Sequence, residues 1–189
     1  MWGCRQKRVQ YKPGCFYEEW VGFPLADATT VRDVEKHRWP SPDWCGFSPV
    51  QEYCRLSDQY CPAAGLGATL DSMGYFRGPE QAMLDQHDNP RIVEAIVGKQ
   101  FEFKYEYNAR LLAAARRRLD ILLVSEDMGG QNGLLVRREV LKRYVCPRLK
   151  QYADLAHRHN ALTMLHSDGA IREIIPHLID LGIDIIDPV

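Results

Sequence analysis

Apolar and polar positions follow two textures along this chain. In "DNPRIVEAIVGKQFEFKYEYNARLLAAARRR", Ile92, Ile96, Phe103, Tyr107 and Leu111 recur at spacings near 3.6 and predict a long amphipathic helix. Asp88 or Asn89 is placed to cap it, and Pro90 suits its first position. Arg116 to Arg118 close it, where cations favour a helix C-terminus. "LDILLVSEDMGG" then reads as a buried parallel strand ending in acids and glycines. "RREVLKRYVCPRLKQYADLAHRHN" predicts a helix bent or restarted at Pro147. "ALTMLHSDG" predicts a second such strand, and "AIREIIPHLIDLG" a helix interrupted by Pro176 and stopped by Gly182. "IDIIDPV" predicts a third strand. Strand, helix, strand, helix, strand is the order of an α/β fold with parallel strands.

Residues 1–65 are different. They are rich in Trp, Pro, Cys and Asp, have weak periodicity, and read as loops with short strands. One helix is predicted, from Thr30 to His37, with Thr29 placed to cap it and Pro40 and Pro42 preventing its continuation. One or two further strands are expected near residues 61–75. The chain thus reads as one domain, with an irregular part over 1–65 and an orderly β/α part over 66–189.

Composition narrows the function classes. A net charge of -1 gives no basic surface for phosphates, so no nucleic-acid partner is expected. No apolar run reaches membrane-spanning length. "MWGCRQKRVQY" lacks the apolar core of a signal peptide, so a cytoplasmic location is expected, with the six cysteines as reduced thiols.

Functional groups of parallel α/β folds gather beyond the C-terminal strand ends. Here those ends carry Glu126 and Asp127, then His166 and Asp168, then Asp187. His166 and Asp168 are alternate residues and can reach one point, as metal ligands or as an acid–base pair. Glu126 or Asp127 is the candidate for a third ligand. The alternative is a hydrogen-bonded rim histidine, with Asp168 capping the next helix. Asp187 has a structural or a substrate-binding reading. "GGQNG" (129–133) reads as a flexible loop that lets a ligand approach its amides. In "LDSMGYFRGPEQAML", Tyr75 and Arg77 are candidate substrate contacts. Arg77 suits a substrate carboxylate or, equally, a structural ion pair.

The stretches "FPLADATTVRDVEKHRWPSPD", "GYFRGPEQAMLDQHDNP", "SEDMGGQNGLLVRREVLKRYVCPRLKQYADLAHRHN" and "LHSDGAIREIIPHLIDLGIDIIDPV" resemble the uroporphyrinogen decarboxylase superfamily. The resemblance is closest to its corrinoid-dependent methyltransferase-like branch. It implies a (β/α)8 TIM barrel with the active site in the C-terminal mouth, here incomplete, without the N-terminal strand and the C-terminal strands. It also implies a zinc site and a corrinoid-carrying partner protein as methyl donor to a small-molecule acceptor. His166 matches the branch's zinc-binding histidine, and Asp168 stands where its cysteine would be. The decarboxylase branch implies instead a lyase for a carboxylated, tetrapyrrole-like substrate, but its arginine-rich N-terminal motif has no counterpart in 1–65. A third expectation is a catalytically inactive piece of a longer chain, serving as a binding or assembly module. An incomplete barrel exposes strand edges, so pairing with a second copy is expected.

Overall fold

The computed structural model describes residues 1–55 and 59–188. The protein is a mixed α/β chain that divides into two compact units. The first comprises Met1–Pro40 and Ser72–Lys99, and the second Ser41–Asp71 and Gln100–Val189.

The first unit begins with an antiparallel hairpin, β1 (Arg5–Lys12) and β2 (Cys15–Gly22). This corrects the expectation of loops and short strands. Pro13 presets a negative φ and Gly14 takes φ 76°, which closes the two-residue turn between the strands. Most of the hairpin's side chains are exposed on both faces. It therefore carries no period-two alternation in sequence. α1 (Val31–Lys36) is capped by Thr30, one residue after the expected Thr29. Thr30 and Asp33 form a reciprocal capping box, with the Asp33 carboxylate accepting from the Thr30 amide at 2.9 Å. α3 (Gly74–Arg77) and α4 (Pro79–Asp88) follow, and Leu25, Val34, Met73, Phe76 and Ala82 are buried.

The long helix α5 (Pro90–Ala115) is present as its stripe predicts, and the unit boundary falls within it, after Lys99. It stops before the arginines instead of including them. Arg116 and Arg117 take left-handed φ values of 50° and 64° and unwind the chain.

The second unit holds α2 (Val50–Tyr53) and a four-stranded parallel sheet in the order β3-β4-β5-β6. Its strands are β3 (Ala63–Ala64), β4 (Ile121–Ser125), β5 (Leu162–His166) and β6 (Ile185–Asp187). The three apolar runs are thus strands, neighbouring and parallel. Their register sets Ser125 beside His166 and His166 beside Asp187, so the three C-terminal ends are level. No closed barrel is formed among the described residues.

α6 (Arg138–Val140) runs through a π-helical turn, Leu141–Val145, into α7 (Cys146–Arg158), which restarts the helix at Pro147 as expected. Proline lacks the N–H that a continuous helix needs, and the wider turn accommodates this. α7 packs on β4 and β5, burying Leu149, Tyr152, Ala153 and Ala156. α8 (Ile175–Asp180) carries Pro176 in its first turn, where the sequence predicts an interruption, because proline in a first turn costs no hydrogen bond. Gly182, at φ 91°, ends it. Among the described residues, no helix is long and apolar enough to cross a membrane.

Candidate functional site at the C-terminal strand ends

β4, β5 and β6 deliver the polar residues at their C-terminal ends to one rim. Alternation along β5 buries Thr163 and Leu165 and leaves His166 half-buried on the other face. Past the strand ends, the β4 and β5 loops touch through glycines. A Cβ on Gly169, at φ 83°, would lie 2.4 Å from the Gly129 carbonyl carbon, and one on Gly129 would lie 2.6 Å from the Ala170 nitrogen. The Ala170 amide donates to the Gly130 carbonyl at 2.7 Å. Gly129 and Gly169 therefore serve the approach of one loop to the other.

This contact sets Asp127 against Asp168. The Asp168 amide donates to Asp127 Oδ1 at 2.9 Å. His166 Nε2 lies 3.7 Å from Asp168 Oδ1, and its Nδ1 lies 3.1 Å from Asp187 Oδ2. Asp127, His166 and Asp168 each offer a ligand atom, all within 4.8 Å of one another. The hydrogen bond to Asp187 raises the His166 pKa. Burial opposes the rise, and the charges of Asp168, Asp127 and Asp187 reinforce it.

Glu126 does not join this set. It is buried and turns to the segment after β3. Its carboxylate accepts from the Thr69 amide at 2.7 Å, the Thr69 hydroxyl at 2.9 Å, the Leu70 amide at 3.0 Å and the Asp71 amide at 2.7 Å. The third ligand candidate is therefore Asp127. Glu126 is a clamp whose grip places Asp71, and Asp71 Oδ2 accepts from the Asp127 amide at 3.3 Å. Desolvation and the nearby Glu126 charge push the Asp71 carboxyl up to about 7. Asp71 keeps contact with solvent, so water screens part of this effect.

Three buried side chains of α5, which the hydrophobic pattern does not single out, hold the same segment. Asn108 donates to the Leu66 carbonyl at 2.8 Å and accepts from its amide at 2.9 Å. Gln100 donates to the Thr69 carbonyl at 3.0 Å. Lys104 donates to the Ala68 carbonyl and, at 3.2 Å, to Gln100. Burial pulls the Lys104 pKa down to about 8, against the opposing pull of Glu126 and Asp71. Their spacing of four continues the Ile92–Ile96 stripe, and that was the available signal.

The remaining candidates lie in the first unit. Arg77 is buried; its Nε donates to Asp85 at 2.6 Å and its Nη1 to the carbonyls of Leu25, Ala26 (3.0 Å) and Ala28 (2.8 Å). This is the ion-pair alternative of the sequence reading. Tyr75 is exposed and lies against Trp20, with ring centroids 4.5 Å apart.

No protein-family model matches the chain, and no curated protein is significantly similar to it.

Proposed function

We propose that this chain is a metal-dependent enzyme of the uroporphyrinogen decarboxylase superfamily, of its methyltransferase-like kind, with a fold of the (β/α)8-barrel type. Its reaction moves a methyl group between a corrinoid carried by a partner protein and a small acceptor. The observation that carries this reading is the convergence of Asp127, His166 and Asp168 at a level strand-end rim.

The donor set fits a divalent cation. One imidazole nitrogen and two carboxylate oxygens suit zinc, and three protein ligands leave a coordination position open. With no thiolate in the set, the centre is harder than one built on cysteine. When bound, such a cation would acidify a thiol acceptor and so prepare it for methylation. The chain's own residues do the rest. Asp127 and Asp168 hold negative charge at one point, the glycine contact keeps their loops together, and Glu126 fixes the segment carrying Asp71.

A lyase acting on a carboxylated substrate is less well supported. Asp127, Asp168 and Asp187 make the rim acidic, and Arg77 donates from Nε and Nη1 within the first unit. An anionic substrate would meet repulsion there.

Metal analysis of the purified chain after equilibration with zinc tests the proposal. About one equivalent is expected in the wild type and none in His166→Ala, with methyl transfer from methylcobalamin to 2-mercaptoethanol lost alongside. A wild-type chain that retains no zinc contradicts it.

A further inference from the structure

An imidazole can present either ring nitrogen to a cation, and the tautomer decides which. In this chain the two nitrogens of His166 have different neighbours. Nδ1 lies 3.1 Å from Asp187 Oδ2, within hydrogen-bond range. Nε2 faces Asp168 Oδ1 at 3.7 Å, beyond that range. Asp187 is held in place by the sheet: it is the β5–β6 register partner of His166, and its carbonyl accepts from the Ser167 amide at 2.9 Å. An ionised carboxylate can only accept, so a neutral His166 satisfies it only by carrying its proton on Nδ1.

We propose that Asp187 is a positioning residue: it accepts the Nδ1 proton of His166 and fixes the tautomer whose Nε2 lone pair meets a divalent cation shared with Asp127 and Asp168. This rests on the cation-site reading above. It changes the part of Asp187 from substrate contact to orienting partner. Carboxylates behind ligating histidines raise ligand basicity and hold the ring plane, and losing one costs about 10–100-fold in metal affinity.

Two readouts test it on the whole chain. The first is the tautomer of His166 in cation-free protein, read from long-range nitrogen–proton NMR correlations at a pH where the ring is neutral. Wild type is expected to carry the proton on Nδ1, and Asp187→Ala to move population to Nε2–H. The second is cobalt(II) binding followed by its visible absorption. Asp187→Ala should bind about 10–100-fold more weakly with an altered spectrum. Asp187→Asn, whose amide oxygen still accepts, should fall between. The thermal unfolding midpoint of each variant shows whether it is folded. Wild type with its proton on Nε2, or Asp187→Ala binding cobalt with wild-type affinity and spectrum, overturns this inference alone. Failure of cobalt to bind the wild type overturns the cation-site reading and this inference with it.

Discussion

In the first unit, Asp85 is wholly buried and faces three donors: Arg77 at 2.6 Å, Gln81 at 2.7 Å and Asn89 at 2.9 Å. In the second, Asp127 and Asp168 stand at a solvent-accessible rim and share one imidazole and one backbone amide. Burial pushes the Asp85 carboxyl up, but its hydrogen bonds to Arg77, Gln81 and Asn89 hold it below its usual value. The rim has acceptors in excess of donors. A saturated cluster holds a fold together, whereas one with surplus carboxylate oxygens has coordination to offer. Both clusters are charged in sequence, and their surroundings separate a fold-holding pair from a site with coordination to offer.

Substitutions sharpen the contrast, and the largest effect belongs to the saturated cluster. Arg77→Ala leaves Asp85 buried without its charge partner and should cost about 3–5 kcal/mol in denaturant unfolding. A loss under about 1 kcal/mol would show the pair to be dispensable. Glu126→Gln sets an amide NH2 among the donors of residues 69–71 and should cost about 2–3 kcal/mol. It should also weaken cation binding, because Asp71 loses its placement beside Asp127.

Gly169→Ala should destabilise by more than about 1 kcal/mol, since its φ of 83° disfavours a side chain and the Gly129 backbone occupies the space. Titration with zinc should show its binding abolished as the two loops part. Wild-type affinity in this variant would mean that the loop contact does not build the site.

His166→Ala is expected to change stability by no more than about 0.5 kcal/mol, as for other open positions, while abolishing cation binding. Its pH signature is directional. The bond to Asp187 raises the folded-state pKa above the ordinary 6.5. In cation-free protein that pair therefore adds stability which is fully present below pH 6.5 and is lost as pH rises through the raised value. His166→Ala removes that slope from the unfolding midpoint. Cation affinity runs the other way, strengthening as pH rises and the ring becomes neutral.

The sheet and the rim were legible because β4, β5 and β6 are apolar runs that end in titratable residues. A buried parallel strand has few other ways to be written. The β1–β2 hairpin was not legible, because both its faces are wet and no alternation marks it. Pro176 misled because a proline starts a helix as readily as it breaks one, and the choice depends on where the preceding turn ends. Glu126 and Asp127 are adjacent in sequence yet face opposite demands, one the amides of residues 69–71 and the other the β5 loop. Gln100, Lys104 and Asn108 were hidden by being polar on an otherwise apolar stripe, where a reading of hydrophobicity alone sees only gaps.

Anomalous diffraction from zinc-soaked crystals, recorded on either side of the zinc absorption edge, tests the shared cation most directly. A single peak about 2.0–2.2 Å from His166 Nε2 and from one carboxylate oxygen each of Asp127 and Asp168 is the expected result. A peak on other residues, or no peak at saturating zinc, would contradict it.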